Sequence, residues 1–219
     1  MKKTGIIAII IIMALLSTTI AFAFSYSVTK DDDPIMGPKV TIIEFGNYAE
    51  TFSLRFFDNT LPLIKENYIE EGKVMYVFRD YPFEWISDYA VKSAEASECA
   101  DEQGVFWNYH DLLFNNQESW KNAPDMEQAK NYFRSYARRL RLDMDEFNSC
   151  LDSGIMEEEV LSDRQDAEDA EVYGIPTFFI QADCGFEERI DGAQQYHVFE
   201  EAIGDALDAC EPNLGVQAI

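Results

Sequence analysis

The chain has 219 residues, 47% hydrophobic and 14% aromatic, with 17 Lys and Arg against 41 Asp and Glu and a formal net charge of −24. That excess of acid excludes nucleic acid as a partner, since nucleic acid is held mainly by cationic side chains that displace counterions, and it repels anionic lipid. The apolar content excludes intrinsic disorder and is enough for one large domain or two small ones.

At the N-terminus Lys2 and Lys3 precede an uncharged stretch from Gly5 to Phe24, and the next charged cluster is Asp31 to Asp33. Basic residues stay on the cytoplasmic side, so the chain beyond about residue 25 is expected outside the cytoplasm. Residues 1–24 read as a signal peptide with Ala21-Phe22-Ala23 as a small-x-small cleavage site, or as a retained membrane anchor of about 20 residues. Contact with the membrane is expected only through this segment. Residues 25–38, with Pro34, Gly37 and Pro38 and no periodicity, read as a linker.

The folded domain is expected over 39–210, with 211–219 as a tail. VTIIEF (40–45), short, β-branched and apolar on both faces, predicts a central buried strand. From Glu50 to Glu71, Phe52, Phe56, Ile64 and Tyr68 keep helical spacing, so a helix kinked near Pro62 is expected. KVMYVFR (73–79) predicts a second strand, completing a parallel βαβ unit. A helical insertion over about 87–173 comes next, in segments 87–103, 105–116, 125–141, 143–153 and 155–173, with Gly104, Gly154 and Gly174 as stops. TFFIQ (177–181) and EERID (187–191) then flank the turn ADCGF as a hairpin, and a last helix over about 195–209 sets Phe199, Ile203 and Leu207 on one face. The order β-α-β, helical insert, β-β-α predicts an α/β thioredoxin fold split by a helical domain.

Cys99, Cys150, Cys184 and Cys210 contain no Cys-x-x-Cys pair, which argues against a zinc ribbon or a local redox dithiol. In an exported chain an even count reads as two disulfides. From the hairpin turn at Cys184 the second strand runs away for roughly 17 Å, and an antiparallel last helix of about 22 Å returns Cys210 to that turn. Cys99 is then left for Cys150, both in the helical insert. His110 and His197 are isolated, so no metal and no cofactor is expected. Trp85, Trp107 and Trp120 read as core or groove-lining residues.

Separated words in one order, VTIIEFG (40–46), TLP (60–62), GKVMYVFRD (72–80), AEASECA (94–100), EQGVFW (102–107), HDLLF (110–114), CLDSG (150–154), GIPTFF (174–179) and DGA (191–193), resemble the DsbA-like branch of the thioredoxin superfamily, as does the lead-in DDPIMG (32–37). The resemblance implies a thioredoxin fold, an extracytoplasmic place and disulfide exchange in client proteins. It also implies a Cys-x-x-Cys at the start of the first helix, where N–H groups and the macrodipole favour a thiolate. Laid on that pattern, FGNYAETFS (45–53) puts Glu50 at the nucleophile and Ser53 at the resolving cysteine. Neither can carry a mixed disulfide. Ile175-Pro176-Thr177 matches the cis-proline loop that pairs with extended client segments, and Glu44 falls where relatives hold a carboxylate that assists proton transfer.

The expectation is therefore an exported DsbA-like protein without catalytic residues. Its degenerate positions are Glu50 and Ser53, and it binds unfolded or extended polypeptide, or an envelope protein, through Ile175, Pro176 and Thr177. The alternatives are a thiol-disulfide oxidoreductase or isomerase using one of the four remaining cysteines, and a scaffold subunit of an envelope assembly.

Overall fold

The computed structural model describes residues 40–83 and 85–210. The expected signal or anchor, the linker and the C-terminal tail lie outside the described residues. Four strands, β1 (Val40–Gly46), β2 (Val74–Asp80), β3 (Thr177–Ala182) and β4 (Phe186–Asp191), form one sheet in the order β2-β1-β3-β4. β1 runs parallel to β2 and antiparallel to β3, so it is central, as its two apolar faces require. The hairpin closes at Ala182↔Phe186.

Two cores meet at this sheet. On one face α1 (Thr51–Asn59), α2 (Leu61–Ile64) and α9 (Tyr196–Ala209) bury Phe56 and Phe199 against Phe178 of β3, with ring centroids 4.3, 5.2 and 4.8 Å apart. Burying each such ring is worth about 2–3 kcal/mol. The other core belongs to the insert: α3 (Ala90–Asp101), α4 (Phe106–Asn115), α5 (Gln117–Lys121), α6 (Met126–Leu140), α7 (Met144–Ser153) and α8 (Glu157–Asp169) enclose Tyr109, Leu113, Trp120, Phe133 and Phe147. Tyr48 and Phe78 project into it from the sheet side and fasten the insert to the thioredoxin frame.

Several local expectations change. The kinked helix is a broken one: α1 stops at Asn59, Thr60 separates it from α2, and a π-helical turn occupies Lys65–Ile69. Pro62 sits in the first turn of α2, where its missing N–H costs nothing. α8 ends at Asp169 and the chain reverses through Glu171 at φ 54°, before Gly174 is reached. Gly104 and Gly154 do stop their helices, at φ 72° and 69°. Among the tryptophans Trp120 is fully buried, Trp107 borders the core, and Trp85 is 76% exposed.

Cys99 is bonded to Cys150, joining α3 to α7, and Cys184 to Cys210, joining the hairpin turn to the end of α9. The second pairing is the one that an antiparallel return of α9 brings about.

Candidate functional site

β1 delivers the chain to the site through Gly46. A Cβ there would lie 2.6 Å from the Phe78 ring and 2.9 Å from Glu44 Oε1, so only glycine passes. The turn beyond it is tied by hydrogen bonds: Asn47 Oδ1 accepts from Ala49 N–H at 2.8 Å, and Glu50 N–H donates to the Asn47 carbonyl at 3.0 Å.

Glu50 and Ser53, the positions that the sequence resemblance lays on the Cys-x-x-Cys, both hold oxygen ligands for backbone N–H groups. Glu50 is the N-cap of α1, extended at φ −99° and ψ 137°, and its Oε2 accepts from Ser53 N–H at 2.7 Å. Ser53 is fully buried, and its hydroxyl accepts from Asn47 N–H at 3.3 Å. A third tie comes from far along the chain. Gln117 of α5 donates to the carbonyls of Tyr48 at 2.7 Å and Glu50 at 3.1 Å, clamping the turn to the insert. Sequence reasoning did not single out Gln117, and no local signal marks an amide that reaches back nearly 70 residues. Phe52, expected on the buried helical stripe, is half exposed, with the Arg55 guanidinium 4.8 Å from its ring centroid. Arg55 also donates to the Ala193 carbonyl at 2.9 Å.

The Ile175–Pro176 peptide is cis. The β1–β3 ladder ends at Phe45↔Thr177, which places this loop at the same end of the sheet as Gly46 and Asn47. Pro176 is buried and its carbonyl accepts from Gly192 N–H at 2.8 Å. Thr177 is buried at 1% exposure, its hydroxyl placed between the Gly174 carbonyl at 2.7 Å and Asp191 Oδ1 at 3.1 Å. Its side chain is therefore internal structure, whereas Ile175, just outside the ladder, is half buried. The peptide N–H and C=O of Ile175 take no partner among the described residues.

Glu44 lies under this end of the sheet at 2% exposure. Tyr76 donates to its Oε2, and Oε1 has no partner among the described residues. Burial pushes its carboxyl from 4.5 up to about 8 against the opposing pull of the Tyr76 hydrogen bond, so at neutral pH it is a protonated acid. His110 is fully buried among aromatic rings, with those of Tyr48, Phe78 and Phe114 centred 5.0–5.6 Å away. Its Nδ1 lies 3.0 Å from Asp111 Oδ1, and burial lowers its pKa, leaving it a neutral core residue. His197 is exposed on α9. Among the described residues no group of three or more His, Cys, Asp or Glu could hold a metal ion, and no cysteine is free.

A βαβ–ββα frame with a helical insert and a cis-proline beside the first helix defines a thioredoxin-fold protein of the DsbA type. The thioredoxin family model matches residues 35–205, and the chain belongs to that family as a DsbA-like member. It is 33% identical over 153 residues, 70% of its length, to the Na(+)/H(+) antiporter NhaA 3 of Salinispora tropica, and 29% identical over 163 residues to the probable disulfide bond formation protein D of Bacillus anthracis, covering 73% of this chain and 71% of that one. The chain spans about a fifth of the length of the antiporter relatives, 22%. Among solved structures, alpha-DsbA1 of Wolbachia pipientis matches with a TM-score of 0.67 at 26% identity, covering 80% of this chain and 88% of that one.

Proposed function

We propose that this protein is an extracytoplasmic DsbA-like protein that captures extended polypeptide segments non-covalently and exchanges no disulfide with them. The observation that carries this reading is the pairing of a blocked site with an open strand end. Glu50 and Ser53, which align with the sulfur positions, are engaged with backbone N–H groups, whereas the Ile175 peptide, at the same end of the sheet, is unpaired among the described residues.

Disulfide exchange requires a thiolate to attack a disulfide sulfur and be held in a mixed disulfide. A carboxylate and a hydroxyl cannot do so. Addition of an extended segment to the free edge of the loop needs only the main-chain N–H and C=O that Ile175 offers, together with an apolar surface such as Phe52. Two disulfides support a place in an oxidising compartment. The alternative of an oxidoreductase working through other cysteines would have to use the Cys99–Cys150 or the Cys184–Cys210 bridge as the disulfide that a client thiolate attacks, and neither is a Cys-x-x-Cys at a helix N-terminus.

Two measurements test the proposal. A dithiol-dependent disulfide reductase assay is expected to show no turnover. Fluorescence anisotropy of a labelled, reduced and unfolded client peptide is expected to show binding that Ile175→Pro, which removes the peptide N–H, weakens about tenfold. Turnover by the unaltered protein, or equal capture by wild type and Ile175→Pro, would overturn it.

A further inference from the structure

A second surface lies on the helical insert. A cavity of about 540 Å³ opens between the end of α3 and one face of α7, bordered by Glu102, Asp145, Glu146 and the Cys99–Cys150 bridge. It shares Ile155 with a neighbouring cavity of about 520 Å³ at the start of α8, bordered by Glu157, Glu158 and Leu161. The two adjoin at Ile155 and form a continuous surface groove with two properties. Two aliphatic side chains stand open in it, Ile155 at 67% and Leu161 at 43% exposure. No Lys, Arg or His lines it.

Several acids elsewhere on the chain are partnered. On α7 itself Asp152 is bound by Lys130 at 2.8 Å and Arg134 at 2.8 Å, Arg164 holds Glu168 at 3.1 Å, and Arg189 holds Asp191 at 2.9 Å. The five groove carboxylates, Glu102, Asp145, Glu146, Glu157 and Glu158, have no cationic partner among the described residues. The dipole of α8 favours acids in its first turn, which accounts for Glu157 and Glu158 as helix residues. It does not account for Ile155 and Leu161 beside them, because each exposed aliphatic forgoes the burial free energy available to it.

We propose that this groove docks a basic amphipathic polypeptide segment, its apolar side chains seated on Ile155 and Leu161 and its lysines or arginines facing the five carboxylates. Charge decides among occupants. A second copy carries the same −24 and is repelled, and an anionic lipid surface is repelled likewise. A cationic segment gains both the apolar contact and the pairing that the groove lacks. The site is separate from the cis-proline loop and does not depend on the function proposed for it.

The probe is a labelled synthetic peptide of alternating lysine and leucine blocks in amphipathic helical register, titrated by anisotropy at physiological ionic strength. Its control is a peptide of the same charge with serine for leucine. Wild type is expected to bind the leucine peptide at least about tenfold more tightly than the control, a difference worth about 1.4 kcal/mol. Ile155→Ser with Leu161→Ser, at positions 67% and 43% exposed, is expected to lower the melting temperature only slightly and to remove that preference. Glu157→Gln with Glu158→Gln is expected to weaken binding and flatten its salt dependence. Ile175→Pro is expected to bind the leucine peptide as wild type does. Equal binding of both peptides, unchanged binding by the Ile155 and Leu161 variant, loss of binding in Ile175→Pro, or no binding at all would each overturn the proposal, as would self-association or vesicle binding that uses this face.

Discussion

Replacing Glu44 by Gln should leave the fold intact and change how stability depends on pH. The carboxyl is at 2% exposure, and burial raises it from 4.5 to about 8. Below pH 4.5 it is protonated in both the folded and unfolded states and contributes no pH dependence. Above that, the unfolded chain releases the proton while the folded one keeps it, so stability falls as pH rises and levels off past about 8. Integrated from about pH 5 to about pH 8, the penalty is ~3 kcal/mol. Gln keeps an acceptor for the Tyr76 hydroxyl and has no proton to lose, so this penalty should vanish in the variant. Asp80 and Asp163, which burial also raises, are common to both proteins and cancel in the difference. Urea denaturation at a series of pH values reads this directly. The variant should gain on wild type progressively toward pH 8; parallel curves for the two proteins would refute a protonated Glu44.

Restoring sulfur with Glu50→Cys and Ser53→Cys should create dithiol reductase activity, since the helix terminus and cis-proline are in place, and should lower stability by about 1 kcal/mol through loss of the cap; an inactive but folded double variant would contradict the site alignment. Thr177→Glu should destabilise by roughly 2–4 kcal/mol, because the hydroxyl is buried between Gly174 and Asp191, a loss measurable by thermal melting. Non-reducing peptide mapping should recover Cys99 with Cys150 and Cys184 with Cys210, and reduction should remove up to about 4 and about 3.5 kcal/mol respectively in the chain-entropy model. Any free thiol would reopen the enzymatic alternative.

The elements legible in the sequence are those that local physics decides. β-Branched runs mark β1 and β2, and the stop at Gly154 comes from its left-handed backbone. The return of α9 to the hairpin turn needed only strand and helix rise. The features that stayed hidden depend on the third dimension. Arg141 takes φ 63° to end α6, a position where a glycine would have signalled the stop. Phe52 keeps helical spacing with Phe56, but it belongs to the first turn of α1 and is 51% exposed, so spacing alone assigned it to the core. Gln117 carries no motif, because its role is defined by two carbonyls of a turn that only the folded insert brings within reach.

The start of α1 carries no sulfur at positions 50 and 53, and the helix terminus there suggests a physical reading of what stands in its place. A helix N-terminus leaves N–H groups without intrahelical partners, and a reactive thiolate is one way to use that field. Here one of those N–H groups, that of Ser53, is capped by the Glu50 carboxylate, while the Ser53 hydroxyl takes the Asn47 N–H and Gln117 takes the carbonyls of Tyr48 and Glu50, which ties down the turn that leads into the helix. Such a site gains stability where the catalytic version accepts strain and reactivity. The Ile175–Pro176 peptide is cis, and the Ile175 N–H and C=O take no partner among the described residues. A protein that captures peptide without exchanging disulfides, as proposed above, needs the loop and not the thiols, so caps at positions 50 and 53 are compatible with that reading.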